Sequence, residues 1–141
     1  MALIARYLID TSAAARMANQ LVAQRLAPLI EAGLVGTCAV LDAEALYSAR
    51  SATEYERLRT QRRAAYEYLP TSDEHWQIAL DVQRQLARNG RHRSVGIADL
   101  LVAAIASRHK VTVLHYDSDY EVLADLIGVE QRWVAPAGSV P

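Results

Sequence analysis

Short apolar runs alternate with longer segments of helical periodicity along this chain, a pattern typical of mixed α/β folds. The runs at residues 7–9, 34–37 and 111–114 have the length of buried strands, and residues 131–134 predict an edge strand. Strands that alternate with helices form a parallel sheet covered on both faces. The pattern therefore predicts a central parallel sheet flanked by helices.

Helices are predicted from apolar spacing together with start and stop signals. They are residues 21–32, ending at Gly33; 40–49; 53–68, opened by a Thr53–Glu56 capping box; a segment from Ser72 or Asp73 to Asn89 and Gly90; 97–107; and a short helix after Asp119 that ends at Gly128. Thr11 or Ser12 is predicted to cap a further helix. Pro28 is expected to kink or divide the first segment. No repeat or linker interrupts the pattern, so residues 1–141 are expected to form one domain.

Acidic residues stand beside the apolar runs in segments that are far apart in the sequence. They are Asp10, Glu44, Asp99, Asp117 and Asp119. The carboxyl ends of parallel strands meet at one edge of a sheet, where ligands bind. Clustered carboxylates oppose one another's ionisation, and a divalent cation removes that penalty. The sequence therefore predicts a site for Mg²⁺ or Mn²⁺, which suit hard oxygen ligands.

Each acid also has a purely structural explanation. A helix cap or salt bridge explains Asp10, an exposed helix position explains Glu44, and an Asx-turn explains the acids at 117 and 119. Asp99 is the most informative acid, because it is the lone charge in the apolar segment 97–106. An unpaired carboxylate is unfavourable there, and Ser94 is already available as a helix cap.

Composition narrows the class of protein further. The hydrophobic content of 52% is ample for a core, and the formal net charge of −1 does not by itself indicate a polyanion partner. Cys38 is the only cysteine, so no intrachain disulfide forms, and it is predicted to be a buried small residue. Neither a membrane span nor a signal peptide is recognisable. A cytoplasmic location without membrane contact is expected.

Segments that contain these acids carry a resemblance to a known family. They read YLIDTSA at 7–13, LDAEAL at 41–46, GIADLLVAA at 96–104 and VLHYDSDY at 113–120. In their order, spacing and total length they resemble the PIN-domain ribonucleases, specifically the VapC toxins of bacterial toxin–antitoxin pairs. The resemblance covers nearly the whole chain. It implies a PIN-like three-layer sandwich with a central parallel sheet.

The resemblance also implies a function and a set of site residues. The acidic quartet is Asp10, Glu44, Asp99 and Asp117, with Asp119 a possible fifth ligand. The implied activity is hydrolysis of RNA by a Mg²⁺- or Mn²⁺-dependent endoribonuclease. Such a protein is usually a homodimer and is silenced by a cognate VapB-like antitoxin. Direct metal contact is expected from Asp10 and Asp99, with Glu44 and Asp117 completing the shell.

Several residues near the acids are candidates for contact with RNA. Thr11 or Ser12 is expected to position Asp10 or contact phosphate, with helix capping as the alternative. Arg91 and Arg93 precede Asp99 and are expected to hold phosphates, since the planar guanidinium matches phosphate oxygens. A second basic cluster lies in the 53–68 helix, namely Arg57, Arg59, Arg62 and Arg63. Interleaved glutamates there also fit a solvated, ion-paired face.

The histidines are not expected to take part in the chemistry. His115 lies near the acids but is not expected to bind metal, and His75, His92 and His109 are predicted to lie on the surface.

Other functions remain open from the residues alone. A metal-dependent nuclease of RNA processing or DNA metabolism is one, and an inactive PIN-like binding module is another. A signalling receiver domain is disfavoured, because Lys110, the only lysine, precedes a strand instead of following the last one.

Overall fold

A parallel five-stranded sheet runs through residues 3–141, the part of the chain that this computed structural model describes. In chain order the elements are β1 Tyr7–Ile9, α1 Thr11–Ala14, α2 Gln20–Glu31, β2 Val35–Thr37, α3 Ala39–Tyr47, α4 Ala52–Ala65, β3 Glu67–Tyr68, α5 Asp73–Ala87, α6 Ile97–His109, β4 Thr112–His115, α7 Asp119–Ile127 and β5 Gln131–Trp133. The strand order is β3-β2-β1-β4-β5, and every neighbouring pair is parallel.

The two faces of the sheet bury different side chains, because successive residues of a strand point to opposite sides. Leu8 and Val113 pack into a core that includes α5, α6 and α7, while Ile9 and Leu114 face a second core with α2. Residues 100–106 of α6 are all buried, so this helix is covered on every side. The predicted three-layer sandwich is confirmed.

The central position of β1 and β4 places the candidate acids. Ile9 is in register with Leu114, and the backbone N–H of Asp10 donates to the carbonyl oxygen of Leu114 at 2.9 Å. The residues that follow these two strands therefore share one edge of the sheet. Within residues 3–141, no helix is long and apolar enough to cross a membrane.

Two helix caps lie one or two residues before the predicted positions. Asp10, not Thr11 or Ser12, caps α1. The capping box predicted at Thr53–Glu56 is wrong, since the side chain of Ser51 accepts from the backbone N–H of Glu54.

Ser94 does not cap α6, because Gly96 is the residue before its first turn and provides no side-chain cap. Pro28 lies inside α2, which continues past it to Glu31, so Pro28 does not divide the helix.

The predicted end of the 53–68 helix is also wrong. The helix ends at Ala65, and Glu67–Tyr68 form the edge strand β3. Strand pairing with β2 competes with helix propensity here, and the carboxylate of Glu67 accepts from the backbone N–H groups of Ile4 and Ala5 at 3.0 and 2.6 Å. Neither contact is visible in the local sequence.

One histidine corrects the prediction that it lies on the surface. His75, predicted to lie on the surface, is only 5% exposed, and its Nδ1 accepts from the backbone N–H of Ser72 at 2.9 Å. It therefore helps to begin α5. Cys38 is buried, as predicted.

Gly36 should not tolerate a methyl group. A Cβ there would lie 2.5 Å from Cδ1 of Leu69 and 3.1 Å from the backbone oxygen of Glu67. Gly36→Ala should lower the free energy of unfolding by about 1–3 kcal/mol, as overpacked cores do. Urea unfolding measures this loss. Gly96→Ala is the matched control, because its Cβ would meet nothing within 4 Å. Equal losses in the two variants would contradict the close packing of β2.

Candidate metal centre

Asp10 is the most buried acid of the site and is held by three donors. Its side chain is 3% exposed. Oδ2 accepts from the backbone N–H of Ser12 at 3.0 Å and from its hydroxyl at 2.6 Å, while Oδ1 accepts from the hydroxyl of Tyr120 at 2.6 Å. These hydrogen bonds offset the desolvation of the carboxylate and fix its orientation.

Tyr120 links Asp10 to Asp99. Its hydroxyl oxygen lies 3.3 Å from Oδ1 of Asp99, and the whole side chain is buried against the ring of His115, with ring centroids 4.9 Å apart. Burial, followed by the charges of the two carboxylates, raises the pKa of Tyr120 well above its ordinary value. The hydroxyl therefore stays protonated and donates. The sequence analysis missed this residue.

Asp99, Asp117 and Asp119 form the candidate metal-binding group. One carboxylate oxygen from each lies within 4.8 Å of the others. Asp99 is in the first turn of α6, and Asp119 begins α7. The backbone N–H of Asp119 donates to Oδ1 of Asp117 at 2.9 Å, which closes an Asx-turn. Asp117 thus forms an Asx-turn and is also one of the three acids of the candidate metal-binding group.

The electrostatics of this group favour a cation. Burial, followed by the charges of Asp10, Asp117 and Asp119 in that order, raises the pKa of Asp99 from 3.8 to about 7. Burial, followed by the charge of Asp117, also raises the pKa of Asp119. No arginine or lysine among residues 3–141 forms an ion pair with these acids. The donor set is therefore all carboxylate oxygen, which fits a hard divalent cation.

Glu44 lies beside this group without joining it. Its Oε1 accepts from the hydroxyl of Thr11 at 3.0 Å. Asp42, two residues earlier on α3, points elsewhere and pairs with Arg62 at 2.9 Å. The sequence correctly separated the two acids onto different faces of the helix. Thr11 thereby connects Glu44 to the start of α1, next to Asp10.

Ser12 and His115 hold the acids in place through hydrogen bonds. The hydroxyl of Ser12 donates to Asp10 and accepts from the backbone N–H of Tyr116 at 2.9 Å. Nδ1 of His115 accepts from the backbone N–H of Asp117 at 3.1 Å, and Nε2 faces Oε1 of Gln131 at 2.5 Å. Burial lowers the pKa of His115, which favours the neutral ring. Both ring nitrogens are occupied, so His115 positions the Asp117 turn.

Arg91 and Arg93 lie in the loop between α5 and α6. Arg91 lines a surface cavity with Arg88 and Asp125. None of the five acids is among the described residues that line this cavity. Arg93 is exposed. The structure therefore brings together Asp10, Asp99, Asp117 and Asp119, places Glu44 and Thr11 next to them, and leaves the two arginines outside this hydrogen-bonded group.

Known proteins share this fold. The structure of FitAcB from Neisseria gonorrhoeae superposes with a TM-score of 0.71 at 22% identity, covering 91% of this chain and 97% of that one. VapBC-5 of Mycobacterium tuberculosis, described as a member of the VapBC family of toxin–antitoxin systems, gives a TM-score of 0.58 at 25% identity, covering 91% and 98%.

Sequence comparison is more specific. Residues 7–126 match the PIN domain family. Ribonuclease VapC21 of M. tuberculosis is 43% identical over 134 residues, which covers 95% of this chain and 97% of the relative. The chain therefore belongs to the PIN-domain family and, within it, to the VapC ribonucleases.

Proposed function

We propose that this protein is the toxin of a type II toxin–antitoxin pair and acts as a metal-dependent endoribonuclease. The supporting observation is the group of three carboxylates, in which burial and then the neighbouring acidic charges raise the pKa of Asp99 to about 7. An active site that must gather a cation has this character. The relative VapC21 is named a ribonuclease. The proposed substrate is therefore an RNA phosphodiester bond.

The proposed metal ligands are Asp99, Asp117, Asp119 and Asp10. Their oxygen donors fit Mg²⁺ or Mn²⁺. Such a cation supplies positive charge at the phosphate and makes water a better nucleophile. Ser12 and Tyr120 hold Asp10 in one orientation through bonds of 2.6 Å each. Because Asp99 titrates near neutrality, it releases its proton when a cation binds.

Glu44 and Asp117 complete the proposed catalytic set. Oε1 of Glu44 is occupied by the hydroxyl of Thr11, which leaves Oε2 to orient the attacking water and accept its proton. Asp117 is fixed by the Asx-turn and by His115. Water attack on phosphorus then breaks the bond to the leaving oxygen, which takes up a proton from solvent.

The proposed partners follow from the family. A VapB-like antitoxin is proposed as the inhibitor, since the related VapBC-5 is described as part of a toxin–antitoxin system. The chain is proposed to work as a homodimer, with residues 1–141 as one PIN domain. Arg91 and Arg93, exposed before α6, are proposed to contact RNA phosphates.

Asp99→Asn should abolish RNA cleavage and leave the fold intact, because it removes a charge and little volume. With purified protein, total cellular RNA and Mg²⁺ or Mn²⁺, we expect a loss of more than about 100-fold, the upper range for partners of metal ligands. EDTA should stop the parent equally. Asp125→Asn, an exposed acid outside the group, is the control. Cleavage by Asp99→Asn at the parent rate would refute the assignment of Asp99.

Stability in EDTA should reveal the raised pKa of Asp99. Between 3.8 and about 7 the folded chain keeps a proton that the unfolded chain has lost, so rising pH favours unfolding across that window. The free energy of unfolding of Asp99→Asn minus that of the parent should therefore increase as the pH rises to about 7 and stay constant above it. Urea unfolding measures the difference. A difference that does not change with pH would contradict the desolvated, repulsive environment.

Tyr120→Phe should weaken metal binding by about 10–100-fold, as loss of a ligand's hydrogen-bond partner does elsewhere. The substitution leaves Oδ1 of Asp10 buried without its donor and frees it to rotate. Titration calorimetry with Mn²⁺ measures the affinity without relying on activity. Tyr116→Phe is the matched control, because its hydroxyl accepts from the backbone N–H of Val140 instead. Equal affinities in the two variants would show that the phenol does not position Asp10.

A further inference from the structure

A cavity of about 590 Å³ opens at the carboxyl ends of β2 and β3, on the sheet edge that carries the acids. It is lined by Arg59, Arg62 and Arg63 of α4 and by Tyr66 and Tyr68, and we call it the arginine–tyrosine cavity. Residues 59, 62 and 63 share one helix face, because positions three and four apart are neighbours. The acidic centre does not account for this surface.

Arg62 forms the wall of the cavity. Its Nε donates to Oδ1 of Asp42 at 2.9 Å, and its Nη2 donates to the hydroxyl oxygen of Thr37 at 3.1 Å. Its guanidinium carbon lies 5.0 Å from the ring centroid of Tyr66. The side chain of Arg62 is only 18% exposed. These contacts hold the arginine rigidly and balance its charge.

Arg59 and Arg63 are the cations available to a ligand. Arg59 has only a long contact of 3.9 Å to Glu56 between two exposed side chains, which is a weak pair. Arg63 is exposed and makes no ion pair or side-chain hydrogen bond within residues 3–141. Three lining arginines against the single acid Asp42 leave the cavity with two net positive charges. The expected ligand is therefore anionic.

Tyr68 adds an exposed aromatic surface beside these cations. It ends β3 in register with Thr37, and 56% of it is exposed. An exposed tyrosine beside arginines is the combination that binds single-stranded RNA, where phosphates meet cations and unpaired bases stack on rings. A smaller cavity of about 320 Å³ shares Arg62 with this one and reaches Thr11 and Glu44.

The sheet sets the separation between the cavity and the acids. Strands lie about 4.8 Å apart, so β3 is about 10 Å from β1, which Asp10 follows. RNA held at the acidic centre would continue along the smaller cavity into the larger one.

We propose that the arginine–tyrosine cavity binds the single-stranded RNA next to the cleaved bond. Arg59 and Arg63 hold its phosphates, and Tyr68 stacks on an unpaired base. This inference rests on the proposed nuclease function and adds a substrate-binding surface to it. It also defines the substrate as RNA that is unpaired beside the cleavage site, since a paired base cannot stack on a side chain.

Binding to a labelled, short, mixed-sequence single-stranded RNA tests the cavity. The parent is the full chain carrying Asp99→Asn, so that the probe survives, and fluorescence anisotropy is followed over a range of NaCl concentrations. Arg63→Ala should weaken binding about tenfold and reduce the slope of log affinity against log salt by about 0.7, the value for one phosphate contact on a single strand. Arg57→Ala, on another face of α4, should leave both unchanged.

The tyrosine is tested in the same assay. Tyr68→Ala should weaken binding about tenfold with an unchanged salt slope, while Tyr68→Phe keeps the ring and should bind as the parent does. Tyr47→Ala removes a tyrosine that is 92% exposed elsewhere and is the matched control. Thermal unfolding of each variant checks that the fold is kept. Arg63→Lys retains the positive charge and should therefore bind RNA with most of the parent's affinity.

The outcomes separate this inference from the nuclease proposal. Parent-level RNA binding by both Arg63→Ala and Tyr68→Ala would overturn the inference, and metal-dependent cleavage by the unsubstituted chain would still stand. Variants that lose a co-expressed antitoxin or change oligomeric state, with RNA binding unchanged, would also overturn it and assign the cavity to a protein interface. An unsubstituted chain that neither binds nor cleaves RNA would refute both proposals.

Discussion

The arrangement of the site depends on one unfavourable interaction, the repulsion among carboxylates that β1, β4, α6 and α7 bring to one edge of the sheet. Hydrophobic packing fixes their positions, since α6 carries Asp99 on a helix whose residues 100–106 are all buried. The acids cannot separate without moving that helix or the central strands. The chain therefore carries a local electrostatic penalty, and a cation bound there would remove it and stabilise the folded chain.

Hydrogen bonding limits that penalty without removing it. Asp10 receives three donors and stays fixed, whereas Asp99 receives only the longer contact of 3.3 Å from Tyr120. Burial, followed by the charges of Asp10, Asp117 and Asp119, raises the pKa of Asp99 to about 7. The donors hold Asp10 in one orientation, and a cation that binds Asp99 would compete with a proton there.

Features that depend on the local sequence pattern were predicted, whereas features that depend on contacts between distant segments of the chain were not. The alternation of strand and helix patterns was sufficient to predict the parallel sheet, and the acids beside the apolar runs were sufficient to predict an acidic edge. Tyr120 could not be found this way, because its role depends on an atom 110 residues away. The end of α4 at Ala65 was missed for the same reason, since β3 exists only through its pairing with β2.

The sheet order also explains why opposite charges can lie on one edge without neutralising each other. Asp10, Asp117 and Asp119 follow β1 and β4, whereas the cations of α4 lie at the ends of β2 and β3. Asp42 and Thr37 hold Arg62 between the two regions, so it does not pair with Glu44 although both line the smaller cavity. Direct pairing would have cancelled both charges. Separation leaves the acids free for the proposed cation and the arginines free for the phosphates of the proposed RNA strand.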